Sequence, residues 1–102
     1  MASRLELHEE LCELQGNRNV YFNPPETVKL SYRCIVYSKI GVHKISASNR
    51  AYRTVNEYQL IVIDRDPDST LPDELIAHFP MCRFVRSYTS DNLNHFVLNL
   101  YY

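Results

Sequence analysis

The chain has 102 residues, 45% of them apolar, and a formal net charge of −1. That length fits one domain, residues 1–102, around one modest core, and near-neutrality argues against a dedicated binder of polyanions. Cys12, Cys34 and Cys82 are odd in number and widely spaced, and Gly16 and Gly41 are the only glycines, so neither a disulfide framework nor a glycine-rich phosphate loop is expected.

Ser3 and Glu6 have capping-box spacing and predict a helix start. Leu7, Leu11 and Leu14 then recur at i, i+4 and i+7 with Cys12 beside them, and Gly16 supplies the stop. This acidic, amphipathic opening is unlike a secretory signal, and no window reaches the ~18–20 apolar residues of a membrane span. Residues 19–22 read as a short extended piece ended by Pro24 and Pro25. Tyr32–Ile40, rich in β-branched and aromatic residues, reads as a strand, followed by a polar, basic hairpin tip over Gly41–Arg50. Ala51–Arg65 reads as a long strand whose apolar centre, Tyr58 to Ile63, predicts a middle strand covered on both faces.

The run Asp64–Leu71 breaks that strand. Ser69 or Thr70 is placed to cap a second helix, with Pro72 in its first turn and Asp73 and Glu74 at its positive end. Leu71, Leu75 and Phe79 continue its apolar stripe to Pro80. Met81–Tyr88 and His95–Tyr102 are two further strands around a turn at Thr89–Asn94. In the last strand Phe96, Leu98 and Leu100 share one face. The order α-β-β-β-α-β-β predicts an α+β fold, a small and mostly antiparallel sheet of four to five strands packed with two helices. A sheet of this size leaves edges and a face uncovered, and the strand ending in Tyr101-Tyr102 reads as an edge suited to assembly.

Charge is the most informative pattern. Residues 27–56 hold Lys29, Arg33, Lys39, Lys44, Arg50 and Arg53 without one acid, a charge of +6. Residues 57–79 hold Glu57, Asp64, Asp66, Asp68, Asp73 and Glu74 against Arg65 alone, a charge of −5. One part of a folded subunit thereby carries a sign that another part of an identical copy satisfies. Lys39, His43, Lys44, Arg50, Arg53, Asp64, Asp66, Asp68, Tyr101 and Tyr102 are the candidate interface residues.

Catalytic chemistry is not expected. The Asp64-x-Asp66-x-Asp68-Ser69 run resembles the start of a calcium loop, but Ser69 replaces the turn glycine and Leu75 stands where a bidentate Glu belongs. The histidines, at 8, 43, 78 and 95, lack metal-binding spacing, so no metal or cofactor is predicted. His95 has Cys34 and Cys82 as available nucleophile partners, but no oxyanion loop accompanies them.

The chain resembles the tail terminator, or tail-completion, proteins of long-tailed double-stranded DNA bacteriophages. The likeness lies in the N-terminal helix, the segment Val20-Tyr21-Phe22-Asn23-Pro24-Pro25, and the strand Tyr32-Arg33-Cys34-Ile35-Val36-Tyr37. It continues in the strand Tyr58-Gln59-Leu60-Ile61-Val62-Ile63-Asp64 leading through Asp66-Pro67-Asp68-Ser69 into a helix, and in the closing stretch Tyr88 to Tyr102. Arg33 stands where such sequences carry Pro. The resemblance implies a virion protein without enzymatic activity, assembled in the host cytoplasm and located at the tail–neck junction. It implies a ring of six copies that caps the tail-tube protein, docks to the head-side connector or head-closure protein, and lets DNA pass through its opening. Two alternatives stay open: another neck, head-closure or minor capsid component, and a small nucleic-acid-binding regulator using the basic segment.

Overall fold

The computed structural model describes residues 4–16, 18–24, 29, 32–47 and 51–102, the side chains of 45–47 and 51–53 excepted. Ser3, Pro25, the hairpin-tip residues 48–50 with Arg50, and the Arg53 side chain lie outside the described residues. The elements are α1 (Arg4–Gln15), β1 (Val20–Phe22), β2 (Cys34–Ala47), β3 (Ala51–Asp64), α2 (Leu71–His78), β4 (Cys82–Ser90) and β5 (Leu93–Tyr101). They form an α+β fold in the predicted order, with one five-stranded sheet arranged β1-β2-β3-β5-β4. All pairings are antiparallel except β1 with β2, which run parallel.

Leu7 and Leu11 place one side of α1 against the sheet, both fully buried. The helix ends where Gly16 adopts φ +85 and donates its N–H to the Cys12 carbonyl at 2.9 Å. Arg33 Nη2 donates to the Gln15 carbonyl at 2.8 Å, placing a cation at the negative end of the helix. The second helix begins after Thr70, whose side chain makes no cap bond; Ser69 Oγ instead accepts the Leu71 N–H at 3.4 Å. Leu71, Leu75 and Phe79 are buried, as their spacing predicts.

The core lies between the helices and one face of the sheet. Register aligns Ile35 with Val62 and Tyr37 with Leu60, then Leu60 with Leu98 and Tyr58 with Leu100. These side chains form one buried cluster with Leu7, Leu11, Leu71 and Leu75. At about 1.5–3 kcal/mol for each buried aliphatic side chain, this face is the main source of stability. The opposite face carries Tyr21, Val36, Ile61, Val97 and Arg86 in one cross-strand row. Both helices contribute to the first cluster and so lie on one face of the central strand β3, while Cys34, Ile63 and Val97 on the opposite face are buried as well.

Two further expectations are corrected. The segment from Gly41 to Ala47 is not a loop: β2 continues through it, aided by a register shift between Lys39 and Gly41 that leaves Ile40 as an extra residue. The strand ending in Tyr101 is not an edge either. Asp91 and Asn92, at φ 53 and 63, make a tight two-residue turn that folds β4 onto the outer side of β5. β5 therefore lies inside the sheet, between β3 and β4, and β4 is the edge. That edge carries Arg83, Arg86 and an irregularity between Phe84 and Arg86, features that discourage strand addition.

Candidate functional site

The long β2–β3 hairpin outruns the rest of the sheet. β5 pairs with β3 only over Glu57–Asp64, and β1 pairs with β2 only over Ile35–Tyr37. Asn56 and Tyr102 exchange backbone hydrogen bonds, Tyr102 N–H to the Asn56 carbonyl at 2.9 Å, and this closes the three-stranded region. Outward from there, residues 51–55 of β3 pair with β2 alone, from His43↔Val55 to Ala47↔Ala51. Five strand residues rise roughly 17 Å. The result is a two-stranded arm on a body whose longest extent is 51 Å against 27 and 22 Å.

A polar cluster braces the arm at its base. His43 Nε2 and Glu57 Oε1 are 2.8 Å apart, and Asn99 Nδ2 donates to Glu57 Oε2 at 2.9 Å. The His43 and Tyr101 rings meet edge to face at 5.5 Å between centroids. Gly41 lies across from Glu57, and a Cβ there would stand 3.2 Å from Glu57 Oε1 and 3.3 Å from His43 Nε2. The missing side chain is what gives the pair room.

At the other end of β3 is an acidic corner. Asp64 Oδ1 accepts the Asp66 N–H at 3.1 Å, and Asp66 Oδ1 accepts the Asp68 N–H at 2.9 Å. These two carboxylates shape consecutive turns, as short acidic side chains do in loops. Asp66, Asp68, Asp73 and Glu74 are exposed, with Arg65 among them. Among the described residues no group of three or more His, Cys, Asp or Glu is arranged to hold a metal ion. The fourteen residues of β3 separate the corner from the outer end of the arm by about 44 Å. The outer end of the arm, with exposed Lys44 near it, and the acidic corner thus sit at opposite ends of β3. Arg33, next to the Cys34↔Ile63 pair, lies at the corner end, and Lys39, level with Tyr58, lies between them.

The structure sorts the candidate interface residues into groups. Lys39 and Lys44 are exposed on β2, as are Asp66 and Asp68 at the corner, with Asp64 half-buried. His43 and Tyr101 belong to the brace. Tyr102 packs inward: its ring meets Phe79 edge to face at 5.9 Å, and its hydroxyl donates to Glu10 Oε2. Burial first, then this bond, pushes the Tyr102 phenol up to about 12. The same bond holds Glu10 below the usual carboxylate range, assisted by His78, whose Nε2 is 3.1 Å from Glu10 Oε1.

No thiol is activated. Cys34 and Cys82 are each pushed up to about 11 by burial, and Cys12 is raised for the same reason. Cys34 aligns with Ile63, which aligns with His95, so two strand spacings, about 10 Å, separate that cysteine from the histidine. His95 instead stacks on Tyr88, with centroids 4.7 Å apart and planes 10° from parallel.

Sequence reasoning missed β4 as the exposed edge. Arg83 and Arg86 without an acid from Met81 to Ser90, followed by the tight-turn pair Asp91-Asn92, were the available signal. It also placed Glu57 with the acidic segment, whereas the fold sets Glu57 beside His43. No family model matches the chain, and no curated protein matches it.

Proposed function

We propose that this protein is a structural virion subunit that assembles with identical copies into a closed ring of six. In this reading the ring caps the tail tube of a long-tailed bacteriophage and joins it to the head-side connector, with DNA passing through the opening. The observation that carries it is the unlikeness of the two ends of β3, a projecting arm bearing exposed Lys44 at one and the exposed acids of the corner at the other. A subunit with unlike ends is suited to head-to-tail contacts, which close into rings when the rotation between copies permits. The α+β order with one sheet and two helices is also what the resemblance to tail terminators implies. Ion pairs at the rim of such a contact contribute only about 0–1 kcal/mol each, so their role is to orient neighbours and reject wrong ones. In this reading the contacts among His43, Glu57, Asn99 and Tyr101 at the base of the arm serve to present it alike in every copy. The subunit has no reaction to catalyse.

The test is to locate the protein in virions. Antibody labelling of intact phage particles should decorate the tail–neck junction and leave capsid faces and the tail tip bare. Label confined to the capsid, or absent from particles altogether, contradicts the reading.

A further inference from the structure

We propose that the β2–β3 arm of one subunit lies against the acidic corner of the next, so that copies join end to end. This rests on the ring reading above and specifies the contact that makes the ring. The arm is unfinished by itself. A two-stranded ribbon is marginally stable in water, and here the β2 edge beyond Tyr37 and the β3 edge beyond Asn56 have no neighbouring strand among the described residues. Exposed apolar side chains accompany the open edge: Ile40 is 50% and Val42 57% accessible. Burying them on a neighbour supplies a non-polar contribution that the charges then orient.

Charge selects the occupant. Lys44 is exposed on the arm and Lys39 on β2 just before its base, and the brace holds its one acid, Glu57, against His43. The surface that answers this sign lies on the same chain. Asp66, Asp68, Asp73 and Glu74 are exposed at the far end of β3, where an end-to-end neighbour presents them. The two surfaces differ, so the contact is heterologous and repeats from copy to copy.

The experiment is sedimentation velocity on the full chain and three variants: Lys39→Glu with Lys44→Glu, Asp68→Lys with Asp73→Lys, and all four changes together. Circular dichroism establishes that each is folded. At a concentration where the wild type is wholly assembled, each two-residue variant should sediment as the monomer, and the four-residue variant should regain the ring. Rings that persist in either two-residue variant overturn the arm contact while the ring reading stands. Failure of the folded four-residue variant to reassemble overturns the pairing of these two surfaces. A wild type that is monomeric at every concentration removes the ring reading itself. Should a variant unfold, salt decides on the wild type: dissociation as salt is raised supports the contact, and indifference to salt overturns it. A monomer that binds duplex DNA, with a salt-sensitive affinity lost in Lys39→Glu with Lys44→Glu, assigns the arm to nucleic acid instead and overturns the proposal.

Discussion

The Tyr102 hydroxyl donates to Glu10 on α1, tying the residue that follows β5 to the first helix across 92 positions of sequence. His78 of α2 meets the other oxygen of the same carboxylate, so one acid links both helices to the end of the sheet. Glu10 is held below its ordinary 4.5, so its contribution is fully present above that value and is lost as pH falls through the lowered one. Glu10→Gln should lower stability at neutral pH by about 1 kcal/mol and flatten the acid limb of a urea-denaturation series below pH ~4.5. A variant with the wild-type midpoint at every pH contradicts this role.

His8 adds an earlier stage. Its Nδ1 lies 2.8 Å from the Tyr37 hydroxyl, and burial first, then Arg4, lower its pKa from 6.5. A base whose folded value is depressed stabilises the fold fully above its unfolded value and loses that contribution as pH falls. Stability should therefore begin to decline just below pH 6.5, before the carboxylates titrate, and His8→Gln should remove that first decline. A curve that stays level until the carboxylate range sinks the assignment.

Gly41→Ala should loosen the arm without disturbing the core. The added methyl meets Glu57 Oε1 and His43 Nε2 at 3.2 and 3.3 Å, and relieving that crowding costs about 1 kcal/mol. Hydrogen exchange is the readout. Amides of Val42 to Lys44 should lose protection while those of Phe96 to Leu98 keep theirs, and equal loss in both places contradicts a local brace.

Thiol reactivity reports the state of the core. Cys34 is raised from 9.0 to about 11, which reduces its thiolate fraction about 100-fold before burial blocks access. Labelling of Cys34 by a thiol reagent at neutral pH should track global unfolding, and rapid labelling of the native protein contradicts the described packing.

Much of the fold was legible because local chemistry and tertiary context agree. Leu7, Leu11 and Gly16 specify α1 and its end, and Phe96, Leu98 and Leu100 specify the inward face of β5. The arm was not legible. Gly41, Ser46 and Ala47 have weak strand preference and look like a loop; what extends them is pairing with residues 51–57, settled between the strands rather than within either. Sheet order was hidden for the same reason, and so Tyr101 and Tyr102, bulky aromatics at the end of the last strand, read as an edge although β4 lies outside β5. For the candidate site, the charge blocks were visible in sequence, but the distance of Lys44 from the acidic corner follows only from the length of β3. Glu57 shows the limit of counting blocks, because the shift beside Gly41 turns that acid into the partner of His43.

Native mass spectrometry of the purified full chain at neutral pH and low salt tests the central claim most directly. The account predicts one dominant species with six times the mass of a single chain, falling apart as salt is raised. A spectrum containing only the single chain at every concentration contradicts it.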